Sequence, residues 1–256
     1  MAHASDNSPP RVLIVNPKGG CGKTTVATNL ATIYAHRGLA ATLFDLDPQG
    51  SSGEWLARRD ASLPPVTVVE AHRQTTGGIT RTFQLRLPLD AERIITDTPA
   101  GVDASKLGDL MRRSRVVLVP VLPSAIDMRA AAVFLGTLLK LRHQRQLRTP
   151  IAVVANRVRK NTLMFRKLIM FLAKANVPLV ATFHDMQAYV HATDIGQGVL
   201  ELGGRAAHDA GQWSTLVRWI EGQIAAQDEA HDPVEDGEEA DPPSDHPRPI
   251  SNIFPR

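Results

Sequence analysis

Lys18-Gly19-Gly20-Cys21-Gly22-Lys23-Thr24-Thr25 is the stretch that decides how this chain is read. The apolar run Arg11-Val12-Leu13-Ile14-Val15-Asn16 precedes it, as a buried strand would, and the segment from Val26 to Arg37 is helix-permissive. Strand, glycine loop and helix in that order is the setting that a phosphate-binding loop needs. Glycines let the backbone turn its N–H groups onto phosphate oxygens with no side chain in the way, and the following helix adds the positive end of its dipole. On this reading Gly19, Gly20, Cys21, Gly22, Lys23, Thr24 and Thr25 form the nucleotide cradle. Lys23 neutralises the β- and γ-phosphates, and Thr24 offers its hydroxyl to Mg²⁺. The general form of such loops would place a glycine at 17, where this chain has Pro17; what stands here is the more restrictive Lys-Gly-Gly-x-Gly-Lys-Thr-Thr. A glycine-rich loop holding no nucleotide is the bland alternative, and eight matched residues between a strand and a helix argue against it.

The rest of the composition bounds the class. A chain of 256 residues, 43% hydrophobic with few aromatics, suits one large α/β domain built on Val, Leu, Ile and Ala. No apolar run approaches the roughly 20 residues that span a bilayer, so no integral membrane contact is expected. Met1 to Pro10 is polar, without the apolar core of a signal peptide. The single cysteine, Cys21, excludes an internal disulfide framework and fits a reducing cytoplasm. Its place before a helix raises the idea of a redox switch, against the plainer reading that the loop wants a small residue there. The net charge of +3 conceals an asymmetry: residues 228–256 hold nine acids and two arginines, a balance of −7, which leaves +10 on the rest. That acidic, proline-rich tail has almost nothing apolar before Ile250, Ile253 and Phe254, and is expected to be disordered.

Strand-like runs at 11–16, 40–45, 66–70, 93–97, 116–120, 151–156 and 178–182 alternate with helix candidates at 23–37, 51–59, 104–113, 127–145, 161–175, 185–193 and 206–227. Runs such as Val116-Val117-Leu118-Val119 are continuously apolar rather than alternating, which predicts strands covered on both faces. The expected fold is therefore α/β, a mostly parallel central sheet flanked by helices on both faces, occupying 11–227 as a single domain. Ligands of such sheets bind beyond the carboxyl ends of the strands, and the remaining motifs all fall there. Leu43-Phe44-Asp45-Leu46-Asp47-Pro48-Gln49 delivers two carboxylates at alternate positions and then a turn. Ile94-Ile95-Thr96-Asp97-Thr98-Pro99-Ala100-Gly101 ends an apolar strand on a carboxylate suited to Mg²⁺ through water. Asn156 ends Val153-Val154-Ala155, where an amide can donate to and accept from adenine; a turn-forming asparagine is the plain alternative.

The loop with its front lysine resembles the deviant Walker A motif of ParA/MinD-type ATPases, and the Asp45 and Asp97 segments resemble the family's two switches. The resemblance covers roughly residues 11–227. It implies a P-loop fold and an ATP-dependent homodimer with two nucleotides buried between two chains. Lys18 would reach the partner's phosphates, Asp47 would orient the attacking water, Asp45 and Asp97 would join Thr24 around Mg²⁺, and Asn156 would read adenine. Gln49 would contact the switch or the partner. Ser124 and Asp127 sit where the family's long interface helix begins and are read as a cap and an early helix acid.

The leading function is that of an ATP-hydrolysing ParA-type positioning protein, cytoplasmic and nucleoid-associated. Its ATP dimer would bind DNA nonspecifically and distribute a plasmid, chromosome region or protein organelle until a cargo-bound adaptor triggers hydrolysis. Candidate phosphate contacts are Arg157, Arg159, Lys160, Arg166, Lys167 and Lys174, with Arg205 later; a solvated cationic face is the plain alternative. Only ten residues precede the first strand, so operator binding through an N-terminal helix-turn-helix domain is not expected. The first rival is a MinD-like membrane-cycling ATPase, which the acidic tail after the last helix disfavours. An iron–sulfur carrier would need surface cysteines, and a pure ATP-holding module would not need Lys18, Asp47 and Asp97 together.

Overall fold

The computed structural model describes residues 8–71, 88–159 and 161–230, with the backbone alone at 205–207. Seven strands, β1 (Arg11–Ile14), β2 (Ala41–Asp45), β3 (Thr67–Glu70), β4 (Arg93–Asp97), β5 (Val116–Val121), β6 (Ile151–Val158) and β7 (Leu179–His184), form one sheet. Its order is β3-β2-β4-β1-β5-β6-β7, and every pairing is parallel. Each of the seven expected strands is present within two residues of its expected ends.

The apolar runs explain the architecture. Val12, Ile14, Val116, Leu118, Ala152 and Val154 point to one face, while Leu13, Val15, Val117, Val119, Val153 and Ala155 point to the other. Successive strand residues alternate sides, so an unbroken apolar run demands a helical layer on each. Helices α1 (Lys23–His36), α2 (Ser51–Ala57), α6 (Gln187–Asp194) and α7 (Ala210–Glu229) belong to the first layer. Helices α3 (Ala104–Arg112), α4 (Ala125–Gln144) and α5 (Leu163–Ala175) cover the second.

Helix ends follow local chemistry. The α4 helix starts at Ala125, two residues before its expected start, because the Ser124 Oγ accepts the Asp127 N–H at 3.1 Å. The α5 helix is capped by Thr162 and stops at Asn176, whose φ of 52° is the left-handed conformation asparagine tolerates. The last helix carries Trp213, Leu216, Val217, Ile220 and Ile224 at helical spacing into the core. It runs to Glu229, two residues past the expected boundary at 227, and Asp228 pairs with Arg115 at 2.9 Å.

Two polar clusters fix the first layer. Buried Asp209, ahead of α7, accepts hydrogen bonds from the His184 N–H and the Tyr189 hydroxyl, each at 2.8 Å, and pairs with the His184 ring. Arg59, just after α2, forks onto Glu201 in a nearly fully buried ion pair, and the Trp55 indole N–H donates to the Gln197 carbonyl at 3.1 Å. The α2 helix is thereby anchored to the 196–202 segment.

Trp213 is fully buried and stacks on Phe183 with ring centroids 3.9 Å apart. Trp213→Ala is expected to cost about 3–5 kcal/mol of stability, read as an earlier urea midpoint with an unchanged slope.

Candidate nucleotide site

The site is assembled where β1, β2, β4 and β6 end. After β1, Asn16 turns its amide both ways: the side-chain NH₂ donates to the Pro120 carbonyl at 2.7 Å, and its oxygen accepts the Lys18 N–H at 2.9 Å. This fixes the entry to the loop against β5. Gly20 and Gly22 take φ values of 72° and 92°, which only glycine adopts without strain. A side chain at Gly19 or Gly20 would meet open space, so the mouth of the loop is clear. At Gly22 an added Cβ would overlap the Asn156 side-chain amide, which donates to the Cys21 carbonyl at 3.0 Å. Carbonyls thus point inward to fixed donors, while the loop presents its outer side to a ligand.

Lys23 and Thr24 open α1. Lys23 is buried, its ammonium donating to the Lys18 carbonyl at 3.3 Å across the loop. The Thr24 hydroxyl donates to Asp97 Oδ2 at 2.6 Å, joining the loop to the end of β4. Asp97 Oδ1 is buried with no hydrogen-bond partner among the described residues. Burial pushes the Asp97 carboxyl up to about 7; the Thr24 hydrogen bond and the Lys23 charge oppose the rise, and Asp45 and Asp47 add to it. A buried carboxylate in this state lacks positive charge nearby. Asp45, fully buried at the end of β2, accepts the Asp47 N–H at 2.8 Å and the Ser52 N–H at 3.2 Å, so it shapes the turn into α2. The donor set of Thr24, Asp45 and Asp97 is all hard oxygen, which fits Mg²⁺ rather than a softer metal.

Asp47 lies in the turn, half-buried, with its carboxylate accepting the Gln49 N–H at 3.0 Å. Asn156 is buried at the end of β6. Both polar ends of its amide are engaged, one with the Cys21 carbonyl and the other with the Arg157 N–H at 2.9 Å, so here it braces the loop. Cys21 is buried, and burial pushes its thiol up, outweighing the nearby Lys23 charge. That is the packing reading of this cysteine, since a raised thiol pKa keeps it protonated and unreactive.

Sequence reasoning missed one partner. Lys18 stands outside the loop, 37% exposed, and its ammonium pairs with Asp127 at the start of α4. Asp127 also receives the Ser124 hydroxyl. Burial works against its charge, yet the bonds from Lys18 and Ser124 hold its carboxyl below the usual range. Nothing in the local pattern links positions so far apart in the chain. Asn16 was likewise readable only as the last residue of a strand.

The cationic candidates divide. Arg157 is exposed, with φ of 50°, and Arg159 pairs with Asp185 at 3.0 Å. Arg166, Lys167 and Lys174 are exposed along α5. Lys160 and the Arg205 side chain lie outside the described residues.

Comparison with known proteins agrees with this geometry. The CobQ/CobB/MinD/ParA nucleotide binding domain matches residues 12–195, and the chain belongs to that family. Among its relatives is the maintenance of carboxysome distribution protein A of Halothiobacillus neapolitanus, 28% identical over 212 residues, covering 81% of this chain and 94% of the relative. A putative plasmid partition protein of Borrelia burgdorferi solved with AMPPNP superposes with a TM-score of 0.62 at 15% identity, covering 86% of this chain and all of that one. McdA from Cyanothece in its ATP complex gives 0.61 at 13% identity, covering 85% and 96%. The expected fold class and family are thus both found.

Gly22→Ala combines left-handed strain, about 1–3 kcal/mol, with displacement of the Asn156 amide. It is expected to lower the thermal midpoint and to abolish binding of a fluorescent ATP analogue, whereas Gly19→Ala keeps the midpoint. Equal melting of Gly22→Ala and wild type would show that the loop is not braced as described.

Proposed function

We propose that this protein is an ATP-hydrolysing positioning protein of the ParA type. In this reading two copies close on two ATP molecules, the closed dimer binds duplex DNA nonspecifically, and hydrolysis stimulated by a cargo-bound adaptor releases it. The observation that carries the proposal is the presence of two lysines with different stations. Lys23 is buried inside its own loop, whereas Lys18 projects from it and is held only by Asp127. A lysine that its own loop does not use is available to a phosphate on another chain.

The roles follow from position. The backbone of Gly19 to Thr25 receives the phosphates, with Lys23 opposite the β- and γ-groups. Thr24, Asp45 and Asp97 would hold Mg²⁺ and its waters, and a bound Mg²⁺ would neutralise phosphate charge. Asp47, on a turn that the Asp45 carboxylate shapes, would orient the attacking water. Lys18 would cross to the partner's phosphates, which requires parting from Asp127, so the pair opposes dimer closure until ATP offers a stronger anion. Asn156 would exchange its bond to Cys21 for adenine, or keep it and brace the loop.

The family supports a nucleotide-binding reading, and the relative's name indicates a protein organelle as one class of cargo. A plasmid or chromosome region is the other class. No helix of the described residues is long and apolar enough to cross a membrane. We place the protein in the cytoplasm, on the nucleoid, with Arg157, Arg159, Lys160, Arg166, Lys167, Lys174 and Arg205 as the candidate DNA contacts.

Duplex binding measured with ATP, ADP and no nucleotide tests the proposal. Wild type should bind with ATP alone. Lys23→Ala should lose ATP binding; Lys18→Ala should keep single-chain ATP binding but lose dimer and DNA. Asp47→Ala should dimerise and remain on DNA with hydrolysis abolished. Removing Arg166, Lys167 or Lys174 should each lower the log–log salt slope by about 0.9. Nucleotide-independent DNA binding, or full stimulated turnover in Asp47→Ala, would overturn the assignment. Asp127→Asn keeps an acceptor for the helix cap but weakens the Lys18 pair, and should shift ATP-driven dimerisation in light scattering to lower protein concentration.

A further inference from the structure

We propose that the outer face of α5 is the docking site for this chain's own acidic C-terminal segment, residues 231–256. The face has an unusual composition. Opposite its buried Leu168 and Leu172, α5 exposes Arg166, Lys167 and Lys174 together with Leu163 at 63%, Ile169 at 44% and Met170 at 69%. Residues 163, 166, 167, 170 and 174 follow helical spacing and share one side. The helix contains no acid, and none of its three cations has an ion-pair partner among the described residues. Three large apolar side chains set among unpaired cations call for a partner that is both anionic and apolar. A DNA backbone would satisfy the charges and leave Leu163, Ile169 and Met170 without cover.

The C-terminal segment has both properties. It holds seven acids between Asp232 and Asp245, and then Ile250, Ile253 and Phe254 at the i, i+3, i+4 spacing of one helical turn. The starting point also suits. The α7 helix ends at Glu229, and Asp228 is tied to Arg115 beside the first residue of β5, at the amino end of the sheet. The α5 helix ends with Lys174 and Ala175 just before β7, at the same end. β5 and β7 are separated only by β6, a lateral distance of about 10 Å, and α5 covers the opposite face of the sheet from α7. An extended residue spans about 3.3 Å, so roughly ten residues bring the acids around the sheet edge to Lys174. The 11 residues from Lys174 back to Leu163 rise only about 16 Å, well within reach of the apolar end. Docking would compete with any DNA held by the same cations; that consequence alone rests on the DNA reading above.

The test uses the full chain carrying a photoreactive benzophenone amino acid in place of Phe254, with no DNA or nucleotide present, so that failure of the DNA reading cannot affect it. Irradiation and peptide mapping should place the crosslink within residues 163–174 of the same chain, with same-chain origin read from a mixture of isotopically light and heavy protein. Arg166→Glu/Lys167→Glu/Lys174→Glu, and separately the conversion of the seven acids to Asn or Gln, should each lower the yield at least several-fold. Raising salt should lower it in part, since screening acts on the charges and not on the apolar contacts. No crosslink, a crosslink outside α5, or one formed only between chains would overturn the inference. So would pelleting of the wild-type chain with phosphatidylglycerol vesicles through the same three cations, which would give the face to a membrane.

Discussion

The hydrogen bond from the Asn156 amide to the Cys21 carbonyl is the constraint on which the site depends. A loop that offers its N–H groups to an anion has carbonyls facing the other way, and buried carbonyls need donors. This chain supplies the donor from the far end of β6, and does so at a point where Gly22 leaves no room for any other residue. The entry to the loop is fixed in the same manner by Asn16 against Pro120, and its exit by Thr24 against Asp97. Three side chains from three strand ends and a helix thus hold the backbone rigid before any ligand arrives. Preorganisation of this kind lowers the ordering cost that binding would otherwise incur.

The parallel sheet makes such bracing possible. All seven strands point their carboxyl ends the same way, so residues far apart in sequence arrive at one edge. The charge distribution at that edge is unbalanced in a useful sense. Asp45 and Asp97 are buried side by side in register on β2 and β4, and burial lifts the Asp97 carboxyl against the pull of Lys23. Buried carboxylates short of positive charge make up a cation site whose vacancy is costly to stability, and which a divalent ion would relieve.

Much of this was legible in the sequence, for a physical reason. Doubly covered strands must be apolar throughout, so β1, β5 and β6 announce themselves as unbroken runs, and a glycine loop between a strand and a helix has few other uses. The carboxylates Asp45 and Asp97 were legible because each ends such a run. Asp127 was not, since its pairing with Lys18 depends on where α4 begins in space and leaves no local periodicity to read. The second function of Asn156 was also hidden: an amide at a strand end has the same appearance whether it turns to a base or to a neighbouring carbonyl. Helix limits shifted where caps decided them, as at Ser124 and Thr162.

The buried fork between Arg59 and Glu201 has a mechanical consequence. It fastens the far end of α2 to a segment that is itself hydrogen-bonded to α1 through Asn29 and Val199. The near end of α2 hangs on the Asp45 carboxylate through Ser52. A body pinned at one end and suspended at the other can swing but cannot slide. Any rearrangement of the Asp47 turn is therefore confined to a short arc about Arg59, which spares the rest of that helical layer from moving with each turnover.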